Sequence, residues 1–178
     1  MSDKPSYLGL LNAIAVGEQR GHALLTAWRD ATSDRGLAAT LDLVAIREQE
    51  HAAAFTKRLC ELGYSVRESV SEAFPRQLAL ARSNAPDSEK FRQILGYVDS
   101  GEERDDPLAR LFDDHSIDPL TGALLGRFIA EERDSERRLR SAHARLEGAG
   151  TDDPMLHEIV SRLDRLTATL EDLRKLRG

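Results

Sequence analysis

A carboxylate and an imidazole three residues apart lie on one face of a helix and can serve one metal ion together. The run Arg47-Glu48-Gln49-Glu50-His51 contains such a pair in Glu48 and His51, and Glu18 stands thirty residues before Glu48. The layout recurs at a shift of 84 residues: Glu102 precedes Glu132 by thirty, and Ser135 takes the place of the histidine. Oxygen and nitrogen donors of this kind suit iron or manganese, and zinc as well. Cys60 is the one cysteine, so an all-cysteine site and an intramolecular disulfide are excluded, and Cys60 itself reads as a small core or boundary residue.

The elements that must position these groups are helical. Ala, Leu, Arg and Glu dominate and aromatic residues make up 5%, a composition that favours helix because these side chains lose little rotamer freedom there. Apolar spacing predicts a first hairpin over residues 5–62, with helices before and after a polar turn at 31–36. Residues 63–86 hold Gly63, Pro75 and Pro86 and read as a long crossover, with a short helix near 77–81. A second hairpin is predicted over 87–147. Its third helix starts at Asp87 or Ser88 and carries Phe91, Leu95, Val98, Ala109 and Phe112, and its fourth runs from Asp118-Pro119 to Gly148. A fifth helix from Asp153 places Leu156, Ile159, Leu163, Leu166, Leu170, Leu173 and Leu176 on one apolar face, either covering the bundle or forming a dimer seam.

Periodicity also says which acids face inward. In helix two Leu41, Val44, Glu48, His51 and Phe55 keep steps of three and four, which excludes Glu50. In helix four Leu125, Phe128, Glu132, Ser135 and Leu139 favour Glu132 over Glu131. Helix one continues Leu11, Ala15, Glu18, His22, Leu25, and helix three Leu95, Val98, Glu102. Each glutamate lies about 15 residues, or roughly 22 Å, from its hairpin turn, so the four can share one level. His22 reads as a satisfied core residue or a supporting neighbour of the acids. Burying several carboxylates costs several kcal/mol per ion, and no Lys or Arg occupies these stripes at the same depth. A divalent metal would supply the missing charge.

Glu18, Glu48, His51, Glu102 and Glu132, with the crossover at 63–86, resemble the ferritin-like superfamily, particularly its rubrerythrin-like di-iron bundles. The resemblance covers residues 7–146 and implies an all-α, antiparallel four-helix bundle over 1–150, with 151–178 as an additional helix. It further implies that Glu18 and His51 serve one ion, that Glu102 serves the other, and that Glu48 and Glu132 bridge. Ser135 departs from the pattern, leaving a second ion weak, absent, or completed by water, Asp106 or Asp134. The activity implied is oxidation chemistry with dioxygen or peroxide at iron or manganese, with one ion or two. One cysteine cannot build the four-cysteine module of rubrerythrins proper.

The alternative is a metal-free bundle that acts as a structural or protein-interaction module, motivated by Ser135 and the C-terminal leucine face. Self-association as a homodimer is expected from that face. The net charge is -6, with basic residues interspersed among acids, which speaks against nucleic acid. No apolar run approaches a membrane span and the N-terminus lacks a signal region, so the expected location is cytoplasmic.

Overall fold

The computed structural model describes residues 7–97 and 116–148; Val98, Glu102, Asp106, Ala109, Phe112 and the leucine series of 156–176 lie outside the described residues. The described residues form five helices and no strands: α1 (Leu8–Ala31), α2 (Arg35–Glu61), α3 (Ala73–Arg82), α4 (Asp87–Ile94) and α5 (Pro119–Leu146). Among them, no helix is long and apolar enough to cross a membrane.

The sequence punctuates α1 and α2 sharply. Asp34 lies just outside α2 and its carboxylate accepts from the Leu37 amide at 2.7 Å, a cap that contributes about 1 kcal/mol. At the far end Gly63 adopts φ +83°, which lets the Tyr64 and Gly63 amides return to the Leu59 and Cys60 carbonyls. The short turn makes α1 and α2 antiparallel. Their pairings step toward it in order: His51 with Glu18, the Ala45 carbonyl with His22, and Asp42 with Arg29. Leu11, Leu25 and Trp28 from α1 meet Leu37, Leu41, Val44 and Phe55 from α2 in the interior. Each such burial stabilises by about 1.5–3 kcal/mol, more than the cap. Cys60 differs from expectation: it follows buried Leu59 on the outer face of α2 and is exposed.

After α2 the chain runs back along α1. Asn12 pairs with the Arg67 backbone through both its amide atoms, at 2.9 and 2.7 Å, and Arg20 reaches the Ser69 carbonyl while lying over Phe74. Asp87 then receives Trp28 at 2.6 Å and Thr32 at 2.7 Å. Asp87 is therefore the first residue of α4 and spends its carboxylate on α1 instead of capping its own helix. Buried Lys90 ties α4 to the end of α3 by donating to the Ala81 and Ser83 carbonyls at 3.1 and 2.8 Å. Burial pulls its ammonium below the usual lysine range, against the pull of Asp87.

A third helix continuing through Gly96 is not what forms. The helix ends at Ile94, Gly96 takes φ +69°, and the Tyr97 amide bonds back to the Phe91 carbonyl at 3.2 Å. Glycine there costs the helix about 1 kcal/mol and tolerates the left-handed turn that stops it.

Asp118 opens α5 by accepting from the Leu120 and Thr121 amides at 3.0 and 3.1 Å, and it also gathers Tyr7 and Arg58. Hydrogen bonds from Thr121, then Tyr7 and Arg58, hold its carboxyl well below the usual range against the opposing effect of burial. These contacts fix direction. Along α2, Arg58 meets Asp118, His51 meets Glu131, and Arg47 meets Asp134, so α5 runs antiparallel to α2 and parallel to α1. Leu125, Phe128 and Ile129 join Tyr7, Leu8, Leu11, Phe55 and Leu59 in one apolar cluster. The chain divides after Ala142, inside α5; beyond it His143 Nε2 lies 3.8 Å from Glu147 Oε1.

Candidate metal centre

Directly above that cluster the stripes of α1, α2 and α5 turn polar at one level. Glu18 is 8% exposed and His51 3%. One donor atom from each of Glu18, His51 and Glu132 lies within 4.8 Å of the others. His51 Nδ1 is 3.0 Å from Glu18 Oε2 and 3.5 Å from Glu132 Oε1. Donors about 2.0–2.2 Å from a shared ion lie no more than about 4.4 Å apart, so a small contraction would bring these three into coordination. Among the described residues the buried Glu132 Oε1 atom has no hydrogen-bond partner, an arrangement that costs about 1–3 kcal/mol or more unless something satisfies it.

His51 is held from its other side. Nε2 lies 2.6 Å from Glu131 Oε2, and Phe128 sits edge-on to the ring with centroids 5.1 Å apart. An imidazole that gives its far N–H to a carboxylate has its remaining nitrogen aimed and made more basic. Glu131 is thus a positioning residue that the helix stripe passed over: it neighbours Glu132 on α5, 100° around the helix, and still reaches the ring. Burial alone would raise the Glu131 carboxyl, but His51 and Arg127 outweigh it and hold the group below the usual range.

Glu48 borders the three from α2. Its carboxylate rests on Gly21 of α1, where a Cβ would collide with it. Glycine at this point in a helix is a close-approach device, and no periodicity in the sequence announces it. Burial pushes the Glu48 carboxyl up to about 9, aided by the charges of Glu18 and Glu132 and opposed by His51. It therefore keeps its proton at neutral pH and shares it with Glu18, whose own carboxyl is raised, chiefly by burial. For His51, burial works downward, but the carboxylates of Glu132, Glu18 and Glu131 win and hold the imidazolium up to about 10.

Glu48 and His51 thus hold protons among these acids at neutral pH, and a divalent ion entering here would compete with them. The donor set and the unsatisfied Glu132 oxygen fit a metal.

The neighbouring position is different. Arg47, one turn before His51 on α2, donates to Asp134 Oδ2 at 2.8 Å and to the buried Ser135 hydroxyl at 3.1 Å. A basic side chain therefore does reach this depth, contrary to the expectation from the stripes, because arginine's length carries its head around the helix. Arg138 first, then Arg47, hold the Asp134 carboxyl down to about 2. His22 stays apart from the acids, its Nδ1 2.8 Å from the Ala45 carbonyl, and Glu102 lies outside the described residues. Comparison of the chain with protein-family models, curated proteins and solved structures gives no match.

Proposed function

We propose that the chain is a ferritin-like, rubrerythrin-like bundle that binds iron or manganese at Glu18, His51 and Glu132, with Glu48 as a further carboxylate, and handles dioxygen or peroxide there. The observation that carries this reading is the convergence of those three donors, with a buried Glu132 oxygen left unsatisfied. The parallel run of α1 and α5, joined by a return segment along α1, supports the bundle assignment, since four helices linked by short turns alone would alternate in direction. A redox-active ion held here would supply one-electron chemistry toward oxygen or peroxide. Glu18, His51 and Glu132 would hold it, Glu131 aims the His51 ring, and Glu48 and His51 would give up their protons to it.

Metal analysis of protein purified without chelator, from cells supplemented with iron, tests this. About one equivalent of iron or manganese per chain is expected, and none in the His51→Ala variant. A second reading, a metal-free structural or interaction module, is favoured by one observation. Arg47 already supplies a fixed cation beside Ser135, where a second metal ligand would be needed. Absence of metal after supplementation would establish that reading instead.

A further inference from the structure

Glu48 stands three residues before His51 on α2 and shares its face, yet the donors that converge within 4.8 Å of one another are those of Glu18, His51 and Glu132. What holds Glu48 outside that group is a notch in α1. A Cβ on Gly21 would collide with Glu48 Oε2 and stand 2.9 Å from its Cδ and 3.6 Å from Oε1, so the carboxylate fills the volume a side chain would take. Gly9 and Gly17, the other glycines of α1, have nothing within 4 Å of the same point. Glycine weakens a helix interior relative to alanine, and Gly21 lies in ordinary helix without a positive φ. Its conformation does not call for glycine; the acid from the facing helix does.

The group in the notch is the far end of a flexible side chain, so a larger residue at position 21 would displace the carboxylate and leave α1 and α2 in place. The free space beside it is a cavity of about 190 Å³ whose wall also carries Glu132, which directs the displaced carboxylate toward the donors. We propose that Gly21 is a positioning residue that seats the Glu48 carboxylate outside the three-donor group, and that loss of this seat makes Glu48 a fourth protein ligand of the ion. A seated Glu48 leaves a coordination position open, and catalytic metal sites keep such a position for water or substrate. The ligand role rests on the metal reading; the seat does not, and can be measured without metal.

The experiment is a double-mutant cycle on the full chain, with Gly21→Ala placed in three backgrounds: unaltered Glu48, Glu48→Ala and Glu48→Gln. Urea unfolding in chelator reads the seat. In the Glu48→Ala background Gly21→Ala should raise the urea midpoint, because alanine favours helix. With Glu48 or its glutamine isostere present it should raise the midpoint less, or lower it, because the seated group must move. Manganese titration reads the ligand role: Gly21→Ala should tighten binding about tenfold with Glu48 unaltered and change nothing in the other two backgrounds. Equal midpoint shifts in all three backgrounds overturn the seat. Unchanged or weaker manganese binding by Gly21→Ala, or the same tightening without Glu48, overturns the ligand role. Unequal midpoint shifts in a chain that takes no manganese would overturn the metal reading and the ligand role together, while leaving the seat.

Discussion

The two sides of the buried polar level neutralise their acids by different means. On one side His51 stands among Glu18, Glu131 and Glu132 with a proton that can leave. On the other, Arg47 holds Asp134 and Ser135 with a charge that cannot, because guanidinium stays protonated in proteins. The sequence sets Ser135 against His51, and among the described residues the polar level accordingly carries a titratable cation on one side and a permanent one on the other.

The largest expected effect that tests this contrast comes from His51→Ala. Losing a ligand should lower metal affinity by more than the roughly 10- to 100-fold typical of losing a supporting partner, and three carboxylates would lose their shared cation. Breaking a buried pair in this way destabilises by about 3–5 kcal/mol. Manganese titration and thermal unfolding should both register it; an unchanged affinity would erase the distinction between the sides.

pH should separate the sides next. Glu48 and His51 titrate higher in the folded chain than unfolded, at about 9 and about 10. Their contribution to stability is complete at low pH and is lost as pH rises through those values. Metal-free protein should unfold at lower temperature at pH 10 than at pH 7, and metal affinity should rise over the same interval as the competing protons leave. The Arg47 side contributes nothing here, since Asp134 is ionised throughout. A melting temperature flat between pH 7 and 10 in chelator would remove the exchangeable protons.

Glu131→Gln should weaken metal binding by roughly 10- to 100-fold while preserving the fold, because the amide can still accept from Nε2 but no longer raises the ring's basicity. It should also lower the His51 pKa, visible in the imidazole proton resonances. The smallest change belongs to Arg47→Met, expected to cost about 1 kcal/mol or less in chemical denaturation, since Arg137 and Arg138 still engage Asp134. Combined with Ser135→His, it should convert the fixed side and add a second, weaker equivalent of manganese. One equivalent in that double variant would show that the fixed cation is not what distinguishes the two positions.

Much of this arrangement was legible in the sequence because helix periodicity reports depth and facing. Glu18, His51 and Glu132 fall on apolar stripes, and stripes are what the interior selects. The α1–α2 hairpin was legible for the same reason, with its short polar turn. What escaped depends on reach and shape. Arg47 and Glu131 lie off the stripe, and length and neighbouring partners bring their heads in. Gly21 matters for the side chain it lacks, and a missing atom leaves no periodic trace. The end of α4 was misread because the apolar spacing of Phe91 and Leu95 continues through Gly96, whereas the backbone turns there. Spacing describes which residues could share a face, not whether the chain stays helical long enough for them to do so.

The route by which α5 joins the fold has a consequence for how fast anything bound here can leave. Glu18 and His51 come from neighbouring helices that close over a few residues, but Tyr7 meets Asp118 across 111 positions of chain, and Glu132 arrives with that distant element. Closing so long a loop adds an entropic penalty that grows slowly with length, and α5 recovers it through its contacts with Arg58, His51 and the apolar cluster. If α5 lifts away, the hairpin keeps two donors and loses the third in a single motion. Release of a bound ion would then be coupled to the opening of one helix, which the Asp118 contacts with Tyr7 and Arg58 hold closed.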